Sequence, residues 1–209
     1  MSYAKPIAAG AGVAVTDTPA GLRQFLDPGC AAAHWARDIP SDVRAWLDGL
    51  DPASLPRGRM ALSVHNIART VAQICKAHGL AECAERTWLQ SDIAALAEIL
   101  ADLMDVRFVR FRLDVIDANA CRKFHIDAIR ARLLCTYRGT GTQLGHAEPG
   151  HDPDAVMTIP IGAPLLLRGS LWPADPAPGL LHRSPPTEGS GETRLVLVLD
   201  PIFDEAELG

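Results

Sequence analysis

Apolar positions in the first half of the chain recur with a helical period, and those in the second half alternate. Asp17-Thr18-Pro19 offers a cap followed by proline at a first helical position, and Leu22, Phe25 and Leu26 follow before Asp27-Pro28-Gly29 stops the turn. A short helix fits residues 31–37. Ser41 caps another, in which Val43, Trp46, Leu47 and Leu50 share a face. A longer helix is predicted over 60–78, with Leu62, Ile67, Val71, Ile74 and Cys75 on its apolar side and His78-Gly79 closing it. Ser91 caps a helix over 91–104 that carries Ile93, Leu96, Leu100 and Leu103. The period changes near Asp105. Val109, Phe111, Leu113 and Val115 then alternate with Arg110, Arg112 and Asp114, which is a strand with one buried face. A second strand is predicted over 132–137, ended by Gly139-Thr140-Gly141, and a flexible segment from Gly145 to Asp154. Further strands fit 155–159, 164–168, 180–182 and 194–199, and residues 1–15 read as a loose arm or an edge strand.

Several short strands between Gly/Pro turns mean a sandwich or barrel rather than a βαβ sheet. The expected fold class is α+β, a helical N-terminal half packed on a C-terminal β-sandwich. No low-complexity linker interrupts the chain, so residues 1–209 read as a single folded unit, with a mainly helical layer at 16–105 and a β core at 106–203. The helical half has two uses open to it, covering one sheet or forming a homodimer contact.

Composition narrows the function classes. Of 209 residues, 48% are hydrophobic and 22% charged, which is ordinary for a soluble globular protein. A net charge of −5 gives no electrostatic case for a nucleic-acid partner. Arginines cluster at Arg107, Arg110 and Arg112, and again at Arg130, Arg132 and Arg138, as either an anion site or scattered surface charge. The five cysteines (Cys30, Cys75, Cys83, Cys121 and Cys135) are irregularly spaced and contain no CxxC. That argues against a disulfide framework or a zinc ribbon, and a cytoplasmic location is expected. No leucine-rich leader core is present. No stretch of ~18 apolar residues predicts a membrane helix.

The chemistry gathers around Phe124-His125-Ile126-Asp127. In extended chain, residues i and i+2 face the same side, so His125 and Asp127 present an imidazole and a carboxylate together. Alone, such a pair reads as a surface hydrogen bond. His182, on a later strand, offers a third ligand. Two histidines and a carboxylate on one face of an octahedron leave three positions open, which suits non-haem Fe(II); the same set suits zinc. Arg194 opens the final apolar run and shares a face with Val196 and Val198, as either a rim residue or an inward anion anchor, since guanidinium pairs bidentately with carboxylate. Tyr137 is either a packed strand residue or a cofactor-binding candidate that hydrogen-bonds a bound carboxylate, with Thr136 and Arg132 on the opposite face as alternatives. His146 and His151, with Glu148, Asp152 and Asp154, read as a solvated loop. His65 and His78 lie on the long helix without metal-pair spacing. Cys121 and Cys135 flank the site as buried packing or soft extra ligands. No P-loop, dinucleotide fingerprint or nucleophile elbow is present.

His125-x-Asp127, His182 and Arg194 resemble the metal triad and cosubstrate arginine of the 2-oxoglutarate/Fe(II)-dependent dioxygenases, whose core is a double-stranded β-helix (jelly-roll, cupin-like). Arg132 to Tyr137 is similar to the strand after their His-x-Asp, Gly162 to Leu167 to the strand before the distal histidine, and His182 to Arg194 to the segment that joins histidine and arginine. The match spans about residues 107–200. More narrowly, the whole chain resembles a bacterial family of the domain-of-unknown-function type, through Phe124 to Asp127, Cys135 to Gln143 and Leu180 to Pro186. The resemblance implies a jelly-roll core and Fe(II) held by His125, Asp127 and His182. It further implies 2-oxoglutarate held by Arg194, and hydroxylation of a substrate it does not name. A zinc-binding or sensing protein on the same scaffold is the alternative. Tyr137 to Leu144 departs from the common hydroxylase pattern in lacking an aspartate- or asparagine-rich turn, which leaves the substrate subclass open.

Overall fold

The computed structural model describes residues 12–117, 122–148, 151–173, 179–187 and 189–208. Most of the N-terminal arm, and Cys121, lie outside the described residues. In chain order the elements are β1 (Val13–Thr16), a 3₁₀ segment (Pro19–Leu26), β2 (Ala32–Trp35), α1 (Ser41–Gly49), β3 (Gly58–Ser63), α2 (Ile67–Ala77), α3 (Ala84–Met104), β4 (Phe108–Ile116), β5 (Ala131–Arg138), β6 (Gln143–His146), β7 (Met157–Thr158), β8 (Leu165–Arg168), β9 (Leu180–Arg183) and β10 (Arg194–Ile202). Seven strands form a large sheet in the order β1-β2-β8-β5-β10-β4-β3, and β7-β6-β9 form a small one. Every pairing is antiparallel except β1 with β2.

β10 lies inside the large sheet and is buried on both faces. Leu195, Leu197 and Leu199 pack with Phe111, Leu113 and Leu133 against the helices, meeting Leu47, Val71, Ile93 and Leu96. Val196 and Val198 turn the other way, toward Leu144 and Leu180 of the small sheet. Double burial explains why this strand reads as a nearly unbroken apolar run. Between Leu195 and Val196 the register with β5 slips by one residue. Such a bulge re-aims side chains, and here it turns Arg138 to the same side as Tyr137.

Several expectations are corrected. Residues 31–37 are not a helix; Ala32–Trp35 is β2, held between β1 and β8. Ala32 and Ala33 are fully buried, because alanine is small enough to be covered on both faces of a sheet. Tertiary pairing overrides alanine's helical preference here. The helix predicted over 60–78 is two elements: Gly58–Ser63 is the edge strand β3 and the helix begins only at Ile67. The helix predicted from Ser91 starts earlier, at Ala84, with Cys83 Sγ accepting from Arg86 N at 3.4 Å. The flexible segment overlaps β6, whose Leu144 is buried. The N-terminal layer is therefore not only helical: β1, β2 and β3 supply both edges of the large sheet.

Candidate metal centre

The chain entering β5 crosses the small sheet at a single residue. His125 N donates to His182 O, and His182 N to His125 O, each at 3.0 Å. This reciprocal pair extends the small sheet and sets the two imidazoles side by side, their centroids 4.5 Å apart. Asp127 lies two residues on and turns to the same place. Its Oδ2 is 3.1 Å from His182 Nε2 and its Oδ1 is 3.6 Å from His125 Nε2. One ligand atom from each of the three residues fits within 4.8 Å of the others. His125 Nδ1 donates to Lys123 O at 2.8 Å, which fixes the tautomer and leaves Nε2 as the electron-pair donor.

A chain of charge stands behind Asp127. Arg132 Nη1 donates to Asp127 Oδ2, while its Nε and Nη2 grip Asp200 at 2.6 and 2.9 Å. Arg112 reaches the same Asp200 oxygen at 3.4 Å. Burial by itself would raise the Asp127 pKa. The hydrogen bond from His182 and the charge of Arg132 outweigh it and hold the carboxyl at about 2. Burial lowers the His182 pKa, opposed by Asp127. Asp127 is thus held as the anionic carboxylate and His182 is biased toward the neutral imidazole, the forms a divalent cation binds.

Arg194 lies on the cavity face of β10 and is only 1% exposed. Its Nε donates to Thr140 O at 2.6 Å and its Nη1 to Ser184 Oγ at 3.3 Å. Close packing of Gly139 makes room for it: a Cβ there would sit 2.8 Å from Arg194 Cγ, and Gly139 has φ +78. Glu192 does not pair with Arg194. Its carboxylate accepts instead from Thr140 N at 2.6 Å and Thr140 Oγ1 at 2.9 Å. Among the described residues no carboxylate lies within ion-pair distance of the Arg194 guanidinium. Burial lowers its pKa to about 10, with Glu192 opposing. The triad, Arg132 and Arg194 share one cavity of about 240 Å³.

The chain belongs to the DUF1826 family. The model of this family, a protein of unknown function, matches residues 16–200. A search of the curated proteins finds no match. Among solved structures, dioxygenase for auxin oxidation 1 from Arabidopsis thaliana, in complex with 2-oxoglutarate, is similar at 10% identity. The match covers 94% of this chain and 97% of that one, with a TM-score of 0.54. The dioxygenase for auxin oxidation in rice is similar at 11% identity over 91% of this chain and 82% of that one, with a TM-score of 0.51. At such identities the likeness is one of fold. The DUF1826 chain has a jelly-roll core of the kind found in 2-oxoglutarate/Fe(II) oxygenases.

Of the residues singled out in the DUF1826 sequence, His125, Asp127, His182 and Arg194 come together at this cavity. Tyr137 does not. It is fully buried in the core facing the helices, and its hydroxyl donates to Asp92 Oδ2 at 2.6 Å. The β-bulge leaves Tyr137 and Arg138 both turned toward the helices, where Arg138 Nη1 donates to Leu47 O at 3.2 Å and Leu50 O at 2.8 Å. Tyr137 is therefore unavailable to a ligand in the cavity, and Arg132, on the opposite face, touches the metal set instead. Cys135 is packing, not a soft ligand: it is buried in the helix-facing core, where burial and then Asp92 push its thiol up to about 12. His65 falls in a short 3₁₀ turn and His78 caps α2. Asp200 went unread. Its signal was its place on the even-numbered β10 face, with Arg194, Val196 and Val198, where a carboxylate stays buried only with a cationic partner.

Proposed function

We propose that this protein is an Fe(II)/2-oxoglutarate-dependent oxygenase that hydroxylates a substrate C–H bond. One observation carries the reading: two histidines and an aspartate converge at a cavity whose wall also holds a buried arginine with no carboxylate partner among the described residues. A zinc-binding protein needs the first feature but has no use for the second. The donor set fits Fe(II), since three protein ligands leave positions for a chelating keto acid and for dioxygen. Bound iron would supply the redox chemistry, in which 2-oxoglutarate, O₂ and a substrate C–H give succinate, CO₂ and a C–OH.

The side chains do the rest. His125 and His182 bind through Nε2. Arg132 holds the Asp127 carboxylate in one orientation, and Asp200 in turn fixes Arg132. Arg194 takes the distal carboxylate of 2-oxoglutarate as a charge-assisted pair. Arg194 and Asp200 mark the ends of one β10 face, with Val196 and Val198 between them as apolar floor. Leu134 and Ile116 extend that floor. The chain works as one unit on this reading, because its N-terminal strands complete the sheet that carries the site.

The test is anaerobic addition of Fe(II) and 2-oxoglutarate, followed by succinate assay in air. A visible charge-transfer band is expected, lost in Arg194→Gln at the same 2-oxoglutarate concentration. Tight zinc binding without 2-oxoglutarate affinity would overturn the oxygenase reading in favour of a metal-binding role.

A further inference from the structure

The β3–β4 side of the cavity carries charge that neither metal nor cosubstrate uses. Arg59 and Arg112 stand directly opposite each other in the register of β3 and β4, and both line the cavity. Like charges at directly opposed sheet positions repel. The nearby carboxylates do not cancel this. Asp114 accepts from Arg59 Nε at 2.9 Å, but that arginine side chain is 69% exposed, and an exposed pair of this kind is weak and exchanges readily. Asp200 is already gripped through both oxygens by Arg132, and Arg112 reaches it only at 3.4 Å.

The wider balance points the same way. Arg183, which follows ligand His182, also lines the cavity. It stacks on Phe124 with its carbon centre 4.3 Å from the ring and donates to Gln143 Oε1 at 2.8 Å. Among the described residues, five guanidinium groups (Arg59, Arg112, Arg132, Arg183, Arg194) thus meet four carboxylates: Asp114 and Asp127 in the lining, Asp200 behind Arg132 and Glu192 near Arg194. A divalent cation and a dicarboxylate add equal and opposite charge, so their binding leaves the positive excess in place. Between these charges the lining is apolar: Ile116, Leu134, Val196 and Val198.

We propose that the primary substrate is a small organic anion, with its carboxylate or phosphate held between Arg59 and Arg112. Its apolar body lies on Ile116, Leu134, Val196 and Val198, beside His125, Asp127 and His182. This rests on the oxygenase reading for its consequence, oxidation of the bound molecule, but binding itself does not require turnover. The guanidinium pair accepts either anion, since both oxygen groups match its fork of donors. A cavity of about 240 Å³ admits a small molecule.

The test is calorimetry on the full chain loaded with Co(II) and saturated with 2-oxoglutarate. The probes are hexanoate, phenylacetate and phenyl phosphate, each set against hexanamide or phenylacetamide as the neutral counterpart. At least one anion is expected to bind tenfold or more tightly than the amides, and the carboxylate and phosphate arms identify the headgroup. Arg59→Gln and Arg112→Gln should each weaken that anion tenfold or more while leaving amide binding unchanged. Arg112→Gln also removes the weaker of the two cationic partners of Asp200, so Arg59→Gln, whose partner is Asp114, guards against a loss of folding being misread. The proposal is overturned if no anion binds, if amides bind as well as anions, or if only Arg112→Gln has an effect. Separate titrations with Co(II) and with 2-oxoglutarate report on the oxygenase reading. If 2-oxoglutarate fails to bind, the probes are titrated into the Co(II) protein alone, and the same outcomes decide.

Discussion

The two faces of the large sheet each carry an arginine–aspartate cluster, and only one of them is open. On the helix side, Arg37 grips both oxygens of Asp92 at 2.5 and 2.7 Å and donates its Nε to Gly162 O at 2.7 Å. Tyr137 completes Asp92, and Trp35 stacks on Arg37 at 4.5 Å. The polar groups named here spend their capacity inside the protein, and the result is a clamp between α3, β5 and the loop before β8. On the cavity side, Arg132 holds Asp127 and Asp200 with comparable geometry, but Asp127 faces two imidazole Nε2 atoms as well. Residue types barely distinguish the clusters. What separates structure from site is whether the hydrogen-bonding and charge capacity of the group is used up by the fold.

The sharpest way to break this comparison is Asp127→Ala, which removes a ligand and leaves Arg132 partly unpaired. Metal affinity should fall by more than the ~10–100-fold that losing an outer-shell partner costs, read by Co(II) titration. An unchanged affinity would make the cavity cluster a second structural clamp. Asp92→Ala should act oppositely. It leaves the buried Arg37 cation uncompensated and should cost about 3–5 kcal/mol of stability, measured by denaturant unfolding, while the folded fraction binds Co(II) normally. Arg132→Leu tests the support behind Asp127 in the cavity cluster. Metal binding should weaken ~10–100-fold with the ligands intact, and wild-type affinity would reduce Arg132 to packing. The smallest effect is expected from Tyr137→Phe. It should cost about 1–3 kcal/mol by removing a donor from a buried carboxylate, with 2-oxoglutarate affinity unchanged. Weakened 2-oxoglutarate binding in that variant would restore Tyr137 to the site.

The particular residues show how far each kind of reading reached. His125 and Asp127 were legible as a pair because extended chain places i and i+2 together whatever surrounds it. The face of Arg194 was legible for the same reason, counted from Val196 and Val198. The face of Tyr137 was legible as well, opposite Arg132 and Thr136, but which face of β5 meets the helices and which the cavity is decided by packing and not by counting. Asp200 was missed because its meaning lies in Arg132 and Arg112, 68 and 88 residues away.

The sequence by itself determined the periodicities: helices where apolar residues recur every three or four positions, strands where they alternate, and a His-x-Asp pair with a later histidine and arginine. These are local consequences of backbone geometry. Only the tertiary structure decided that Ala32–Trp35 and Gly58–Ser63 are strands, since their pattern is weak and their partners are distant in the chain. It also decided which arginine stands behind the metal set and which tyrosine turns away. Those outcomes depend on register between strands, and register is set by the sum of burial on both faces of a sheet, which no single stretch of residues contains.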